Sequence, residues 1–325
     1  MNSGELGKLP GSCGMNRRIL ITGGNGFIGS HVVQKLIDIG DKPILTRRNS
    51  SDMWRLNDVL HKIETFNLDT NQLNEVFENQ SLDGVINLAT YYRKHNSFDD
   101  IAKMIDSNVK FPSQILQQCK MHNVPIFITA GSFFQYGTNH SLSSTNNAIA
   151  RDFYAATKNA LSKIMEYYSS SSDLVTLELV LFTPYGEKDH DEKLIPFLIR
   201  NALSGKSANL SEGFQKLNLV YVDDVASAFV NALDVNGNDT RNAQINIASA
   251  RSYSIREIVS ILEEILEIHI SVNWNSIHLT DMDKDNDIVV DTRIPEMILK
   301  WKPQFDVYSG LMKTINYYRR VTDEN

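Results

Sequence analysis

Arg18-Ile19-Leu20-Ile21-Thr22-Gly23-Gly24-Asn25-Gly26-Phe27-Ile28-Gly29 is the stretch that decides the fold. It starts as a short apolar run, as a buried parallel strand should be. A helix is expected directly after it, at 30–39, because Val32, Val33, Leu36, Ile37 and Ile39 share one face and Gly40 suits the C′ position. Glycines 23, 26 and 29 fill the turn between the two. The first permits a tight bend, the second lets a pyrophosphate approach the backbone, and the third allows close helix–strand packing. The helix N-terminus adds free N–H groups and a positive dipole end. Gly23, Gly26, Phe27, Ile28 and Gly29 are therefore expected to hold a dinucleotide.

Outward from this loop the chain alternates strand and helix. Patterning predicts strands at 18–22, 43–46, 63–68, 84–89, 125–129 and 174–182, with helices near 71–79, 101–107, 112–121 and 152–169. Such alternation means a parallel sheet with helices on both faces. The rhythm loosens after Tyr185. Helices are expected at 194–203, 223–233, 254–266 and 307–318, and strands at 219–222 and 245–248. The expected organisation is a tail over 1–16, a dinucleotide-binding domain over 17–185 with elements returning near 217–248, and a mainly substrate-binding lobe over 186–325.

The end of the second strand selects the dinucleotide. An NAD binder places a carboxylate there, about 20 residues past the loop, to accept from the ribose 2′-OH. Here the strand ends Leu45-Thr46-Arg47-Arg48-Asn49, without an acid. Two guanidiniums suit a 2′-phosphate, so NADP(H) is favoured, with NAD possible. A pair of solvated surface arginines is the plainer alternative.

Tyr154-Ala155-Ala156-Thr157-Lys158 lies on the helix expected at 152–169. Tyrosine and lysine at i and i+4 share a helix face. A free phenol titrates near 10 and is a poor acid at neutral pH, and an ammonium one turn away favours its phenolate. By itself this spacing is common on amphipathic helices. It gains weight from the glycine loop and from Ala130-Gly131-Ser132-Phe133-Phe134-Gln135-Tyr136-Gly137, a strand end bearing a serine. A hydroxyl at the carboxyl end of a strand sits where open α/β sheets bind ligands. Ser132 could bond a substrate carbonyl, Tyr154 donate the proton, and Lys158 tune Tyr154 and hold the nicotinamide ribose.

These residues make the chain resemble the extended short-chain dehydrogenase/reductase family, the nucleotide-sugar epimerase/dehydratase group. The likeness runs from about Arg18 to Tyr318 and includes Val85-Ile86-Asn87-Leu88-Ala89-Thr90, Asn108-Val109, Pro184-Tyr185-Gly186, Tyr221-Val222-Asp223-Asp224-Val225-Ala226, Asn246-Ile247 and Trp301-Lys302-Pro303. The resemblance implies an α/β fold, a Rossmann-type doubly wound parallel sheet with a smaller C-terminal substrate-binding lobe. It implies cofactor contacts from Asn67, Leu68, Leu88, Ala89, Tyr154 and Lys158, substrate contacts from Thr90, Tyr91, Ser132, Phe133, Thr183 and Lys193, and a homodimer joined by helices near 101–121 and 152–169. Sugar 4,6-dehydratases of the group follow the active-site Thr with an Asp-Glu pair, where this chain has Phe133-Phe134. C4 epimerases carry their ribose-binding acid where Arg47 stands. What remains is a reductase similar to the CDP-abequose/paratose synthase branch, acting on a nucleotide-linked 4-keto-6-deoxy sugar in deoxysugar biosynthesis. A C4 epimerase and a non-catalytic NADP-binding regulatory protein are the alternatives.

The chain also departs from the group. Val180 replaces an arginine, Leu217 and Asn218 an Arg-Asp pair, and Asn67 the usual Asp; the acidic stretch 281–287 lacks the usual Arg-x-x-Asp element. Those arginines often hold the nucleotide diphosphate. Lys193, Arg200 or Lys216 could substitute, or the substrate carries no diphosphate. Phe133, Phe134 and Tyr136 are either core or sugar-pocket residues, and Tyr91-Tyr92-Arg93-Lys94 either a surface run or a substrate edge. Asn108 suits a structural part where its helix is disturbed before Pro112.

Composition bounds the rest. Lys and Arg total 32 against 39 Asp and Glu, a net charge of −7, with no basic stripe to bind nucleic acid. No apolar run approaches the ~18 residues of a membrane span. Residues 1–14 have no apolar core and do not read as a signal peptide. Eight scattered histidines and two cysteines, Cys13 and Cys119, offer neither metal spacing nor a disulfide framework. A reducing cytoplasm is the expected setting.

Overall fold

The computed structural model describes residues 16–78, 80–93, 96–137, 149–235, 240–278 and 290–323. Most of the expected tail, Asn79, Lys94, His95 and the acidic stretch 281–287 lie outside the described residues.

The first half of the chain runs β1 (Arg18–Thr22), α1 (Phe27–Asp38), β2 (Lys42–Arg47), β3 (Glu64–Asn67), α2 (Leu73–Glu78), β4 (Gly84–Asn87), α3 (Phe98–Ile105), α4 (Phe111–Met121), β5 (Ile126–Ser132), α5 (Phe153–Ser170) and β6 (Val175–Leu181). The second half adds β7 (Thr183–Tyr185), α6 (Leu194–Leu203), β8 (Ala208–Asn209), β9 (Lys216–Leu217), β10 (Leu219–Tyr221), α7 (Val222–Ala232), β11 (Asn242–Ile247), β12 (Tyr253–Ser254), α8 (Ile255–Leu266) and β13 (Val272–Asn273). Two helices, Arg293–Leu299 and Val307–Asp323, complete it.

Seven strands form one parallel sheet in the order β11-β6-β5-β4-β1-β2-β3. The expected Rossmann-type sheet is what the chain forms. Strand alternation sorts its side chains. Ile19 and Ile21 face a core layer shared with Val32, Val33 and Leu36 of α1 and with Val225 and Phe229 of α7. Leu20 points the other way, into a layer with Ile115 and Leu116 of α4 and Leu161 and Met165 of α5. A third core, built on α6, α8 and the last helix, belongs to the smaller lobe. Burial of each such side chain contributes roughly 1.5–3 kcal/mol.

The chain leaves β1 towards β2 and β3, then returns to β4 on the other side. The two directions diverge between β1 and β4, and open α/β sheets bind ligands at such a switch point. A buried polar stack crosses the sheet there. Thr22 Oγ1 donates to Asn87 Oδ1 (2.8 Å), and Asn87 Nδ2 to Thr129 Oγ1 (3.0 Å). The Ala89 N–H donates to Thr22 Oγ1 at 3.2 Å, so the stack also fixes the loop leaving β4.

Several boundaries differ from the patterned expectation. Helix α1 begins at Phe27 rather than Ser30, because Gly26, extended at φ −75° and ψ 176°, serves as N-cap. The helix expected at 101–107 runs Phe98–Ile105, started by a Ser97–Asp100 capping box, and widens to a π turn over Asp106–Lys110. Strand β5 extends to Ser132 because it pairs with β6 to that residue. Strand β11 starts three residues before Ile245 for the same reason, paired with β6 from Asn242. Helix Arg293–Leu299 and the two-residue strands were not expected, being too short for a periodic pattern.

Candidate active site

Gly23 sits at φ +67°, and a Cβ there would stand 2.6 Å from Ala89 N and 2.7 Å from Leu88 C. No side chain fits, so the β1 turn lies against the β4 loop. A Cβ on Gly29 would reach the Gly23 carbonyl oxygen at 2.2 Å. Helix α1 has no capping side chain and no acid in its first turn. Its N–H groups and dipole end are left to an anion, the arrangement a dinucleotide pyrophosphate requires. These glycines line a cleft of about 990 Å³ between the large sheet and the smaller lobe, together with Phe27, Ile28, Leu88 and Ala89.

At the end of β2, Arg47 and Arg48 line the same cleft. Arg47 Nε lies 3.4 Å from Thr65 Oγ1, and among the described residues neither guanidinium is ion-paired. Leu68 lines the cleft too, but Asn67 does not. Asn67 instead donates to Asn49 Oδ1 (2.8 Å) and accepts from the Asp69 N–H (3.1 Å), organising the turn after β3. This wall fits the adenosine side of NAD(P), with positive charge where a 2′-phosphate would lie.

The opposite wall carries Tyr154, Lys158 and Ser132. Asp152 caps α5 by accepting from the Ala155 N–H at 2.7 Å, which places Tyr154 and Lys158 on the first turns. Lys158 is 3% exposed, and its Nζ donates to the Ala130 carbonyl at 3.0 Å while lying 5.5 Å from the Tyr154 ring centroid. Tyr92 meets Tyr154 edge-on at 5.0 Å. Ser132, last residue of β5, accepts from the Phe134 N–H through Oγ at 3.3 Å. Tyr154, Lys158 and Ser132 all line the cleft, and no hydrogen bond joins Tyr154 to Ser132 among the described residues.

Thr90, Tyr91, Phe133, Thr183 and Lys193 line the remaining part. Phe133 stacks on Phe182 at 5.5 Å and meets Phe134 edge-on at 4.5 Å. Tyr136 is buried behind them, its hydroxyl bonded to Asn246 Oδ1 at 2.6 Å. Tyr91 lines the cleft, but its hydroxyl is turned to Asp100 (2.7 Å). Of the three cations considered for a diphosphate, only Lys193 lines the cleft; its Nζ lies 5.7 Å from the Tyr92 ring. Arg200 pairs with Asp191 at 3.1 Å, and Lys216 is exposed on β9. Val180 is fully buried in β6, and Asn218 accepts from the Ser249 N–H at 2.8 Å.

Among the cleft residues that patterning missed are Arg151, Arg55 and Asp189. Arg151 lies 4.2 Å over the Phe134 ring. Arg55 donates through Nε to the Lys188 carbonyl (2.8 Å), while Lys188 Nζ donates to the Arg55 carbonyl (2.9 Å). Burial pushes the Asp189 carboxyl up to about 6, against the His190 N–H bond and the charges of Lys193 and Arg55. None belongs to a short motif, so no signal in the chain marks them. Among the described residues no three His, Cys, Asp or Glu side chains gather as a metal site would require, and no helix is long and apolar enough to cross a membrane.

Comparison with known proteins agrees with this architecture. The family model described as "NAD dependent epimerase/dehydratase family" matches residues 19–248. The chain is 30% identical over 257 residues to a CDP-abequose synthase from Yersinia pseudotuberculosis, covering 78% of this chain and 87% of that protein. It is 24% identical over 307 residues to the CDP-abequose synthase of Salmonella muenchen, covering 93% and 98%. A solved UDP-glucuronic acid 4-epimerase from Bacillus cereus, in complex with UDP-glucuronic acid and NAD, superposes with a TM-score of 0.80 at 21% identity, covering 94% of this chain and 99% of that one. At that identity the likeness speaks for the fold alone.

Proposed function

The chain belongs to the NAD dependent epimerase/dehydratase family, NAD(P)-dependent enzymes that modify nucleotide sugars, and from that premise we propose that it is an NADPH-dependent reductase of a nucleotide-linked 4-keto-6-deoxy sugar. The observation that carries this reading is the Arg47–Arg48 pair lining the cleft, not ion-paired among the described residues, where a cofactor retained through the 2′-OH would need an acid. It supports an exchanging NADPH and so a net reduction. The CDP-abequose synthase relatives support the same choice of reaction.

Gly23, Gly26 and the first turn of α1 would hold the pyrophosphate, Arg47 and Arg48 the 2′-phosphate, and Lys158 the nicotinamide ribose. Bound NADPH supplies the hydride. Tyr154 donates its phenolic proton to the carbonyl oxygen of the sugar as that oxygen becomes an alkoxide. Ser132 donates to the same oxygen and stabilises its developing charge. Thr90, Phe133, Phe182 and Thr183 form the sugar's surroundings, and Lys193 the cation for the diphosphate. With Phe133 and Phe134 after Ser132, elimination of water lacks the acid–base pair it would require. Helix α3 presents Phe98, Ile101 and Ile105 to solvent, which supports a homodimer formed through that face.

A panel of nucleotide-linked 4-keto sugars tests this proposal through NADPH consumption. Turnover with stoichiometric alcohol is the expected result. Purified protein that carries oxidised cofactor it does not release, and interconverts C4 epimers without consuming NADPH, would make it an epimerase instead. Dinucleotide binding with no turnover of any sugar would leave a regulatory protein.

A further inference from the structure

We infer that Gln135 and Glu178 form a buried positioning couple that sets the orientation of Ser132; the inference rests on the reading of Ser132 as an active-site hydroxyl. The Ser132 N–H donates to Gln135 Oε1 at 2.6 Å. A backbone N–H can only donate, so it fixes which end of the Gln135 amide faces it. The Nε2 end then points to Glu178 Oε1 (2.9 Å) and Asn159 Oδ1 (3.0 Å). Glu178 Oε2 accepts from Ser162 Oγ (2.6 Å) and Gln244 Nε2 (3.0 Å). Every contact of the carboxylate is thus with a neutral donor, and no cation pairs with it among the described residues.

A core-filling part does not account for this pair. Gln135 is 2% and Glu178 4% exposed, and Glu178 stands in β6 between Leu177 and Leu179, both fully buried. An aliphatic side chain there would pack without the desolvation that a lone buried carboxylate suffers. Gly131 makes room for the arrangement: a Cβ on it would lie 2.7 Å from Glu178 Oε1 and 2.8 Å from Gln135 Oε1. The couple also reaches the other catalytic group. Ser162, one turn beyond Lys158, shares its one hydroxyl proton between Glu178 (2.6 Å) and the Lys158 carbonyl (3.1 Å), and Lys158 Nζ holds the Ala130 carbonyl. Ala130-Gly131-Ser132 is therefore tied to α5 at both ends, and the serine turn is held in register with Tyr154.

The charge can be moved without changing the shape of the network. In Glu178→Gln, the new amide either opposes the Gln135 amide donor to donor or, keeping its oxygen on Gln135, sets its own Nε2 against Gln244 Nε2, so one of the network's hydrogen bonds is lost. In the exchange Gln135→Glu/Glu178→Gln, the carboxylate at 135 accepts from Ser132 and from the amide at 178, whose oxygen keeps Ser162 and Gln244, and Asn159 turns its amide to donate to the carboxylate. The experiment compares both single variants and the exchange in the full chain, with Tyr154→Phe as control. Turnover of the substrate from the sugar panel, NADPH affinity, and hydrogen exchange at residues 131–136, which needs no substrate, are measured. The single variants should lower kcat about ten- to a hundredfold with NADPH affinity within about threefold, and speed exchange in the turn. The exchange variant should recover both. Wild-type kcat in Glu178→Gln, or an exchange variant that regains thermal stability but not kcat, overturns the inference. If Tyr154→Phe abolishes turnover in the same series, the functional reading survives that failure. If Tyr154→Phe keeps full turnover, the reading itself falls and the inference with it.

Discussion

Asn108 gives Tyr91 the two hydrogen bonds that a neighbouring strand would give: its Oδ1 accepts from the Tyr91 N–H at 2.8 Å, and its Nδ2 donates to the Tyr91 carbonyl at 2.9 Å. The same amide accepts from Thr90 Oγ1 (3.0 Å) and donates to Thr157 Oγ1 (3.1 Å). The loop leaving β4 is thereby pinned to the π turn and to α5, which places Tyr92 against Tyr154. Asn108→Ala strands a half-buried backbone pair and should destabilise the protein by about 2 kcal/mol. Denaturant unfolding checks the loss, and turnover should fall with it because Tyr92 and Tyr154 lose their mutual support.

Tyr154→Phe should lower turnover about 10²–10⁴-fold while NADPH still binds, since only proton donation is removed. Lys158→Ala should damage both, because Lys158 also holds the Ala130 carbonyl and would contact the ribose. Ser132→Ala should lower kcat more than it raises KM. Steady-state kinetics together with cofactor titration separate the three.

NADPH should bind about ten- to a hundredfold more tightly than NADH, the worth of a charge-assisted contact to the 2′-phosphate. Arg47→Ala/Arg48→Ala should remove that preference and leave NADH affinity unchanged. Equal affinities in the wild type would refute the assignment.

Gly23→Ala should be costly twice over, for a side chain at φ +67° and for a Cβ 2.6 Å from Ala89 N. A loss of about 2–4 kcal/mol in stability and of measurable dinucleotide binding is expected. Calorimetry in the presence and absence of NADPH reads both.

Asp189 sets a pH dependence of stability. Its carboxyl is raised to about 6, above the ordinary 3.8 of the unfolded chain, mainly by burial. Between those values the folded protein keeps a proton that the unfolded chain has released, so stability falls as pH rises through this window. The ionised form costs the fold up to about 3 kcal/mol above pH 6. Asp189→Asn should flatten thermal-unfolding midpoints across this window and raise them at neutral pH.

The features legible along the chain are those set by short-range geometry. Gly23, Gly26 and Gly29 between β1 and α1, and Tyr154 one turn from Lys158, follow from the periods of strand and helix, which the backbone imposes wherever the pattern occurs. The parallel sheet follows from strand–helix alternation. Tertiary structure alone decided what meets through space. Lys193 enters the cleft whereas Arg200 and Lys216 do not, because α6 lies along it and Arg200 faces Asp191. Gln135 meets Glu178 because β5 and β6 are neighbours, and Arg55 meets Lys188 because two loops converge at one end of the cleft. The pairing of strands far apart in the chain selects these contacts, and local periodicity carries no record of it. The same holds for the burial that raises Asp189, since desolvation depends on everything packed around a group rather than on its neighbours in sequence.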